Sequence, residues 1–370
     1  MYSNYFSFDK TLKSFNDLTS LGQVSDTELF QNPYHLFSQL TDLQLERLAQ
    51  KARYITQQRF GHIMRFFIPL YLSNECFNNC TYCGFSYNRK ISRYTLSEDE
   101  IKRNIEVLVQ KGFQHILLLT GESAKNVEMT YFERVLPLIR PHVSQLGMEV
   151  QPLSEHDYIE LINLGLDAVT VYQETYHKDH YLVHHLSGKK RRFEYRLDTA
   201  DRACKAGIFR LNLGALLGLS HWQFEAIALV DHLNYLYKTY WKTQFSISFP
   251  RITSIFDSTQ QLFSVNDRTL VQLICAFRCL FPDLGITLST RENKQLRNGL
   301  MQLGVTDMSA ESLTSPGAYS GINAEPQFST TDHRSLSEIC NELKRQGIEP
   351  VLKDWDQSFT SHPHTLNSLM

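Results

Sequence analysis

The 370-residue chain has no run approaching the roughly 18 consecutive apolar residues of a helical membrane span, so no membrane partner is expected. Its first residues, MYSNYFSFDKTLK, lack the basic start and apolar stretch of a secretory signal, and a cytoplasmic location is the expectation. Neither charge is in excess, since 37 basic side chains face 39 acidic ones for a net of −2. A nucleic-acid binder usually carries a strongly basic footprint, so no nucleic-acid partner is expected. Low-complexity segments are missing too. What remains is an ordinary soluble composition, 42% hydrophobic and 12% aromatic, which points to small-molecule chemistry.

Cysteine is sparse and unevenly spread. Of seven, Cys76, Cys80 and Cys83 crowd into eight residues, while Cys204, Cys275, Cys279 and Cys340 are scattered. In a reducing compartment such a triplet reads as metal binding or redox chemistry rather than disulfides. Cys275 and Cys279 lie four apart in an apolar helical stretch and read as core packing, and Cys204 and Cys340 as ordinary buried thiols.

Eight short runs rich in β-branched, leucine and aromatic residues read as strands: 65–73, 114–121, 147–153, 168–175, 209–218, 245–252, 286–292 and 305–311. Amphipathic stretches separate them. In SEDEIKRNIEVLVQKG, Ser97 and Glu100 form a capping box and Gly112 supplies the stop; Ser154 to Gly165 repeats that grammar, and RLDTADRACKAG ends likewise at Gly207. Eight βα units over about 250 residues predict an α/β fold, a closed (β/α)8 TIM-type barrel rather than an open six-stranded sheet. The expected organisation is an N-terminal helical extension over 1–60, the barrel over 61–312, and a C-terminal loop-and-helix extension over 313–370. The N-terminal part is expected to cap the barrel base or meet a partner. The Gly-, Pro-, Ser- and Thr-rich stretch TSPGAYSGINAEPQFSTTDHRS is long enough to be functional or mobile.

The triplet has the form C-x3-C-x2-C and follows the first strand directly, where a barrel places its active site. A structural zinc site closes with four ligands, and no fourth Cys or His lies nearby. Three thiolates can instead hold three corners of an iron–sulfur cubane and leave one iron open. With Tyr82 before the third cysteine and Gly84-Phe85 after it, the loop resembles that of the radical S-adenosylmethionine (SAM) superfamily. The resemblance implies a 4Fe–4S cluster on Cys76, Cys80 and Cys83, whose open iron is chelated by SAM. It also implies that one electron from an external donor, a flavodoxin or NADPH system, splits SAM into methionine and a 5′-deoxyadenosyl radical.

More blocks extend the match. PLYLSNECFNNCTYCGFS, LLLTGES, VYQETYH, RLDTADRACKAG, LGALLGLS, SFPRI, LSTRE and VLKDWD, in that order, resemble the tyrosine lyases of bacterial thiamine biosynthesis, the 2-iminoacetate synthases. That resemblance implies radical Cα–Cβ cleavage of L-tyrosine to 2-iminoacetate (dehydroglycine) and 4-cresol, with thiazole synthase as partner. Thr120-Gly121-Glu122 is similar to a Gly-Gly-Glu motif that receives the SAM ammonium, with Thr120 in place of the first glycine. By the same resemblance Glu174 takes the ribose hydroxyls and Arg196 the SAM carboxylate. Arg251 and Arg291 close strands six and seven, where guanidinium would grip a substrate carboxylate; Arg291 is preferred, with Ser289 beside it on the inward face. His177, His180, His184 and His185 read as a loop or lid rather than a second metal site.

Three rival readings remain: a tryptophan-cleaving relative, the tyrosine lyase of hydrogenase maturation, and a non-catalytic iron–sulfur carrier. The second needs an additional cluster, which is not expected because only Cys340 follows Cys279. Replacing Cys76, Cys80 or Cys83 by Ala is expected to abolish cluster binding, read as iron and sulfide content after anaerobic reconstitution, and SAM cleavage with it. Cys275→Ala and Cys340→Ala should keep full iron content; equal loss there would refute the three-cysteine assignment.

Overall fold

A computed structural model describes residues 1–123, 125–252 and 262–354 of the chain. Eight strands form its centre: β1 (Ile63–Ser73), β2 (His115–Thr120), β3 (Gln145–Glu149), β4 (Ala168–Glu174), β5 (Arg210–Ala215), β6 (Gln244–Ser248), β7 (Gly285–Leu288) and β8 (Asp307–Ser309). Each overlaps one of the eight expected runs, with ends that differ by up to four residues, as where Gln145–Glu149 stands against the expected 147–153. Every neighbour pairs in parallel, and β8 returns to β1 with Arg65 opposite Asp307, Phe66 opposite Met308 and Phe67 opposite Ser309. The ring is therefore closed, as eight right-handed βα crossovers permit. Alternate residues of β1, Met64, Phe66, Ile68, Leu70 and Leu72, are buried in the layer between ring and helices, while Phe67, Pro69 and Tyr71 face the lumen.

Local sequence starts and stops the outer helices. Ser97 with Glu100 caps Glu98–Gln110, and Ser154 with Asp157 caps Glu155–Asn163, each by a reciprocal pair of hydrogen bonds. Gly112 at φ 95° and Gly165 at φ 100° turn the chain back toward the next strand in a conformation that side-chain-bearing residues avoid. Cys204 and Cys275 are buried as expected, whereas Cys279 and Cys340 are half-buried.

The first 60 residues do more than cap the base. Helices Phe8–Ser20 and Asp42–Phe60 lie against the outer helices Trp222–Thr239 and Asp267–Leu280. There the Tyr2 ring stacks on His232 at 3.9 Å, and Gln272 donates to the carbonyls of Leu36 and Ser38. Only the end of Asp42–Phe60 reaches the base rim, where Thr56 donates to the Leu303 carbonyl at 2.7 Å. After β8 the chain crosses the mouth, forms helix Leu336–Arg345, and drops to the base to add a short strand, β9 (Glu349–Val351), onto Ile63–Arg65. Of the VLKDWD block, Trp355 and Asp356 lie outside the described residues.

Beneath the mouth the lumen stays polar and open. Thr170, Asn212, Ser246 and Ser248 line it, with Asn212 bonded to both serines. At the base it ends on buried ions: Arg65 reaches Asp307 at 2.8 Å and Asp354 at 2.9 Å, and Arg210 approaches the same two carboxylates at 3.6 and 3.8 Å. Burial alone would raise the Asp307 pKa, but Arg65 and Arg210 outweigh it and bring it to about 2. A carboxylate lowered on folding stabilises the native state above its unfolded pKa, and that contribution is lost as pH falls from about 4 toward 2. Asp307→Asn takes one carboxylate partner from each of two buried guanidinium groups, leaving Asp354 to both, and should cost about 3–5 kcal/mol in urea unfolding at neutral pH. The gap to wild type should shrink below pH 4; a pH-independent gap would locate the damage in packing instead.

Candidate active site

The C-terminal strand ends surround a cavity of about 240 Å³ into which Cys76, Cys80 and Cys83 all face. Their loop is held from three sides. Asn78, inside the motif, donates to Glu122 Oε2 at 2.8 Å and accepts from the Lys190 backbone at 2.9 Å. From the stretch after β4, Thr81 bonds His184 Nδ1 and Tyr82 OH bonds His185 Nε2, both at 2.8 Å, while Asn79–Cys80 pairs antiparallel with His185–Ser187. His184 and His185, at the end of the helix Lys178–His184, thus brace the loop. From the C-terminal segment, the Gln327 carbonyl accepts from Gly84 N at 2.9 Å and its side chain lies 3.7 Å from Cys83 Sγ.

Two glycines permit close backbone approaches at the loop. A Cβ on Gly121 would fall 2.2 Å from the Glu75 carbonyl, and one on Gly84 would fall 2.3 Å from that of Gln327. Gly121 therefore lets β2 end directly against the cysteine loop. Thr120, where the resemblance expects glycine, is accommodated with its hydroxyl buried in the cavity wall and without a hydrogen-bond partner.

Opposite charges alternate around the rim. Glu122 pairs with Arg196 at 2.8 Å, Arg196 also donates to the Tyr172 carbonyl, and Glu174 pairs with Lys190 at 2.6 Å. Glu174 holds φ at 71°, a left-handed conformation uncommon for a non-glycine residue, which turns its carboxylate into the mouth at the end of β4. Burial would raise its pKa, yet Lys190 and Arg196 prevail and keep it below the ordinary carboxylate value. Burial pushes the thiols the other way: Cys76 is raised to about 11, Cys80 well above its usual value, and Cys83 upward despite Lys190.

The expected substrate arginines part company. Arg291 lines the cavity with Ser289 beside it, and its guanidinium stacks 3.3 Å from the centre of the Phe328 ring without an ion pair among the described residues. Arg251 turns away onto Glu292 and onto Asp267 at 2.8 Å and does not line the cavity. Periodicity could not separate these two outcomes. Among the cavity residues that went unread in the sequence are Asn78, Glu149, Lys190 and Gln327. Glu149 was hidden because the expected run 147–153 placed it inside a strand that ends at that residue.

The donor set fits a cluster with an open iron. Buried thiols with raised pKa values are held neutral by burial and become thiolates when iron supplies positive charge. Among the described residues no three His, Cys, Asp or Glu side chains converge as ligands of a single ion would. Glu122 and Arg196, side by side, complement the ammonium and carboxylate of an amino-acid headgroup such as that of SAM.

The family comparisons agree with this geometry. The radical SAM superfamily matches residues 70–230, and the biotin and thiamin synthesis associated domain matches residues 248–349. The 2-iminoacetate synthase of Escherichia coli is 47% identical over 314 residues, covering 84% of this chain and 83% of that protein. The chain belongs to the 2-iminoacetate synthase family of radical SAM proteins. The Salmonella typhimurium member is 46% identical over the same share. Among solved structures, the FeFe-hydrogenase maturase HydG from Carboxydothermus hydrogenoformans aligns with a TM-score of 0.82 at 32% identity, over 93% of this chain and 80% of that one. In this 2-iminoacetate synthase family member, Glu174→Gln or Arg196→Ala should weaken SAM binding by about 1–3 kcal/mol, read by equilibrium dialysis of reconstituted protein. Unchanged affinity in both would reduce these residues to scaffolding.

Proposed function

We propose that the chain is a 2-iminoacetate synthase that cleaves the Cα–Cβ bond of L-tyrosine to 2-iminoacetate and 4-cresol, supplying the thiazole moiety of thiamine. The observation that carries the reading is the 47% identity over 84% of the chain, an overlap long enough to include both the cysteine loop and Arg291. Cys76, Cys80 and Cys83 would hold a 4Fe–4S cluster, with Glu122, Glu174, Arg196 and Tyr82 around SAM. When bound, cluster and SAM supply a carbon-centred radical that takes a hydrogen atom from substrate.

The protein's part is placement and exclusion. Arg291, without an ion pair among the described residues and braced on Phe328, offers a bidentate grip to the substrate carboxylate, and Ser289 adds a hydroxyl beside it. Phe85, Leu119 and Phe249 give the cavity apolar wall. Such a wall keeps solvent from a reactive carbon and holds an aromatic side chain at contact distance. The thiamin-associated domain match supports delivery of the labile imine to thiazole synthase. We infer the electron source, a flavodoxin or NADPH system, and the cytoplasmic setting from the family resemblance.

Reduced enzyme with SAM should form 4-cresol from tyrosine. Arg291→Ala should lose about a hundredfold of that activity while slow 5′-deoxyadenosine release continues, because a displacement of about 1 Å has a cost of that order. Indolic products from tryptophan with no 4-cresol from tyrosine would overturn the substrate assignment and leave the radical chemistry standing.

A further inference from the structure

Beyond the residues already given a role, one charged group in the mouth has none. The carboxylate of Glu149 closes β3, lines the cavity, and makes no hydrogen bond or ion pair among the described residues. Glu122 and Glu174, by contrast, each hold a cation. The cation left over is Arg291, which also makes no ion pair among the described residues. In an eight-stranded ring, β3 and β7 are four strands apart and so stand on opposite sides of the mouth. The cavity thus carries one open anion facing one open cation, with the charge pairs of the SAM side closed. Both groups are half-buried, an unpartnered charge in such a site is costly, and a ligand bearing both complementary charges relieves both at once.

We propose that Glu149 binds the amino group of the amino-acid substrate while Arg291 holds its carboxylate, and that Glu149 takes one proton from the substrate ammonium before the hydrogen atom is abstracted. This rests on the tyrosine reading and adds to it the group that makes the amine neutral. In the step, one N–H bond of the ammonium breaks and one O–H bond forms on Glu149. The nitrogen lone pair is released, and no electron is transferred. The product is a neutral amine that keeps two N–H bonds and stays anchored through the carboxylic acid.

The surroundings suit a carboxyl that can both bind and accept. Glu174, Lys190 and Arg196 face Glu149 from the end of β4 and the stretch that follows, Arg291 from β7, Tyr71 from β1 and Tyr172 from β4. Burial, with Glu174 adding to it, raises the Glu149 pKa to about 7 against the lowering effect of the three cations. A base of that pKa lies within the range in which proton transfer near neutral pH is efficient.

The test compares L-tyrosine with 3-(4-hydroxyphenyl)propanoate, which lacks only the amine, by anaerobic calorimetry on the cluster- and SAM-loaded enzyme. Wild type should prefer tyrosine by about tenfold or more, and Glu149→Gln should bring the two ligands to within about twofold. The wild-type rate of 4-cresol formation should rise with pH through about 7, since the deprotonated form is the acceptor, and that rise should disappear in Glu149→Gln. Retained preference and an unchanged pH rise in the amide variant overturn the assignment. If the amide variant loses its cluster, Glu149→Asp replaces it: a displaced pH midpoint supports the role, and an unmoved midpoint refutes it. Wild-type enzyme that makes no 4-cresol from tyrosine overturns the substrate reading and this assignment together; wild-type activity with an indifferent Glu149→Gln overturns this assignment alone.

Discussion

Closure of the ring at β1 and β8 is the constraint on which everything else rests. At that seam Arg65 and Asp307 are direct register partners and also an ion pair with about one-tenth of each side chain exposed. Only three residues of β8 pair across the seam, so backbone hydrogen bonds alone give little discrimination between neighbouring registers. A one-residue slip would turn Asp307 out of the lumen and take from Arg65 one of its two carboxylate partners. The pair therefore acts on register as well as stability. Register at the base in turn sets the height of each strand end at the mouth, where the cysteine loop after β1 must meet Glu122 after β2 and Arg291 after β7.

Through that closure, residues far apart in sequence become a single site. Asn78 joins the first βα loop to the second and to the stretch after β4, and Gln327 brings the C-terminal segment onto Gly84 and Cys83. The last connection explains why a glycine- and proline-rich segment of more than twenty residues is tolerated in a compact protein. It forms part of the cavity wall, with Phe328 beneath Arg291 and Gln327 accepting from Tyr71 at 2.8 Å. The stretch expected as a loop or lid contains the helix Lys178–His184, whose end packs against the cysteine loop. His184 and His185 are buried and hydrogen-bonded to the loop, and burial holds both imidazoles in the neutral form.

What the sequence made legible follows the range of the interactions involved. Strands, caps and the cysteine spacing are local patterns: Ser97 and Glu100 are three residues apart, and the cysteines eight residues end to end. All eight strand runs overlap the observed strands and both capping boxes form, although strand ends differ by several residues, as at 147–153 against Gln145–Glu149. The direction of a long side chain at a strand end depends on partners elsewhere, and here reading along the chain failed. Arg251 and Arg291 have similar local settings, yet Glu292 and Asp267 draw one away while Phe328 supports the other in the cavity. Lys190 offered no local signal, since it lies in a run of basic residues that reads as a solvated loop. Its commitment to Glu174 follows from the left-handed turn at Glu174, a backbone feature that composition does not reveal.

The distribution of charge at the mouth carries the argument one step further. Besides Glu292, held by Arg251, and the ions at the base, the cavity is lined by Glu122, Glu149, Glu174, Lys190, Arg196 and Arg291, and among the described residues Glu122 and Glu174 are closed by cations while Glu149 and Arg291 are open. Were all of them closed, an incoming amino acid would have to break an ion pair at each of its own charges; were none closed, the ligand-free site would bear six uncompensated charges. Geometry resolves this by keeping β3 and β7 apart. Arg196, after β4, reaches across to Glu122 after β2, and Lys190 meets Glu174 within one unit, whereas Glu149 and Arg291 stand at the ends of strands four apart and form no pair among the described residues. Both stay open to a ligand that carries the two opposite charges. In this way the symmetry of an eight-stranded barrel, fixed by its base, sorts the same few charged side chains into a closed half and an open half.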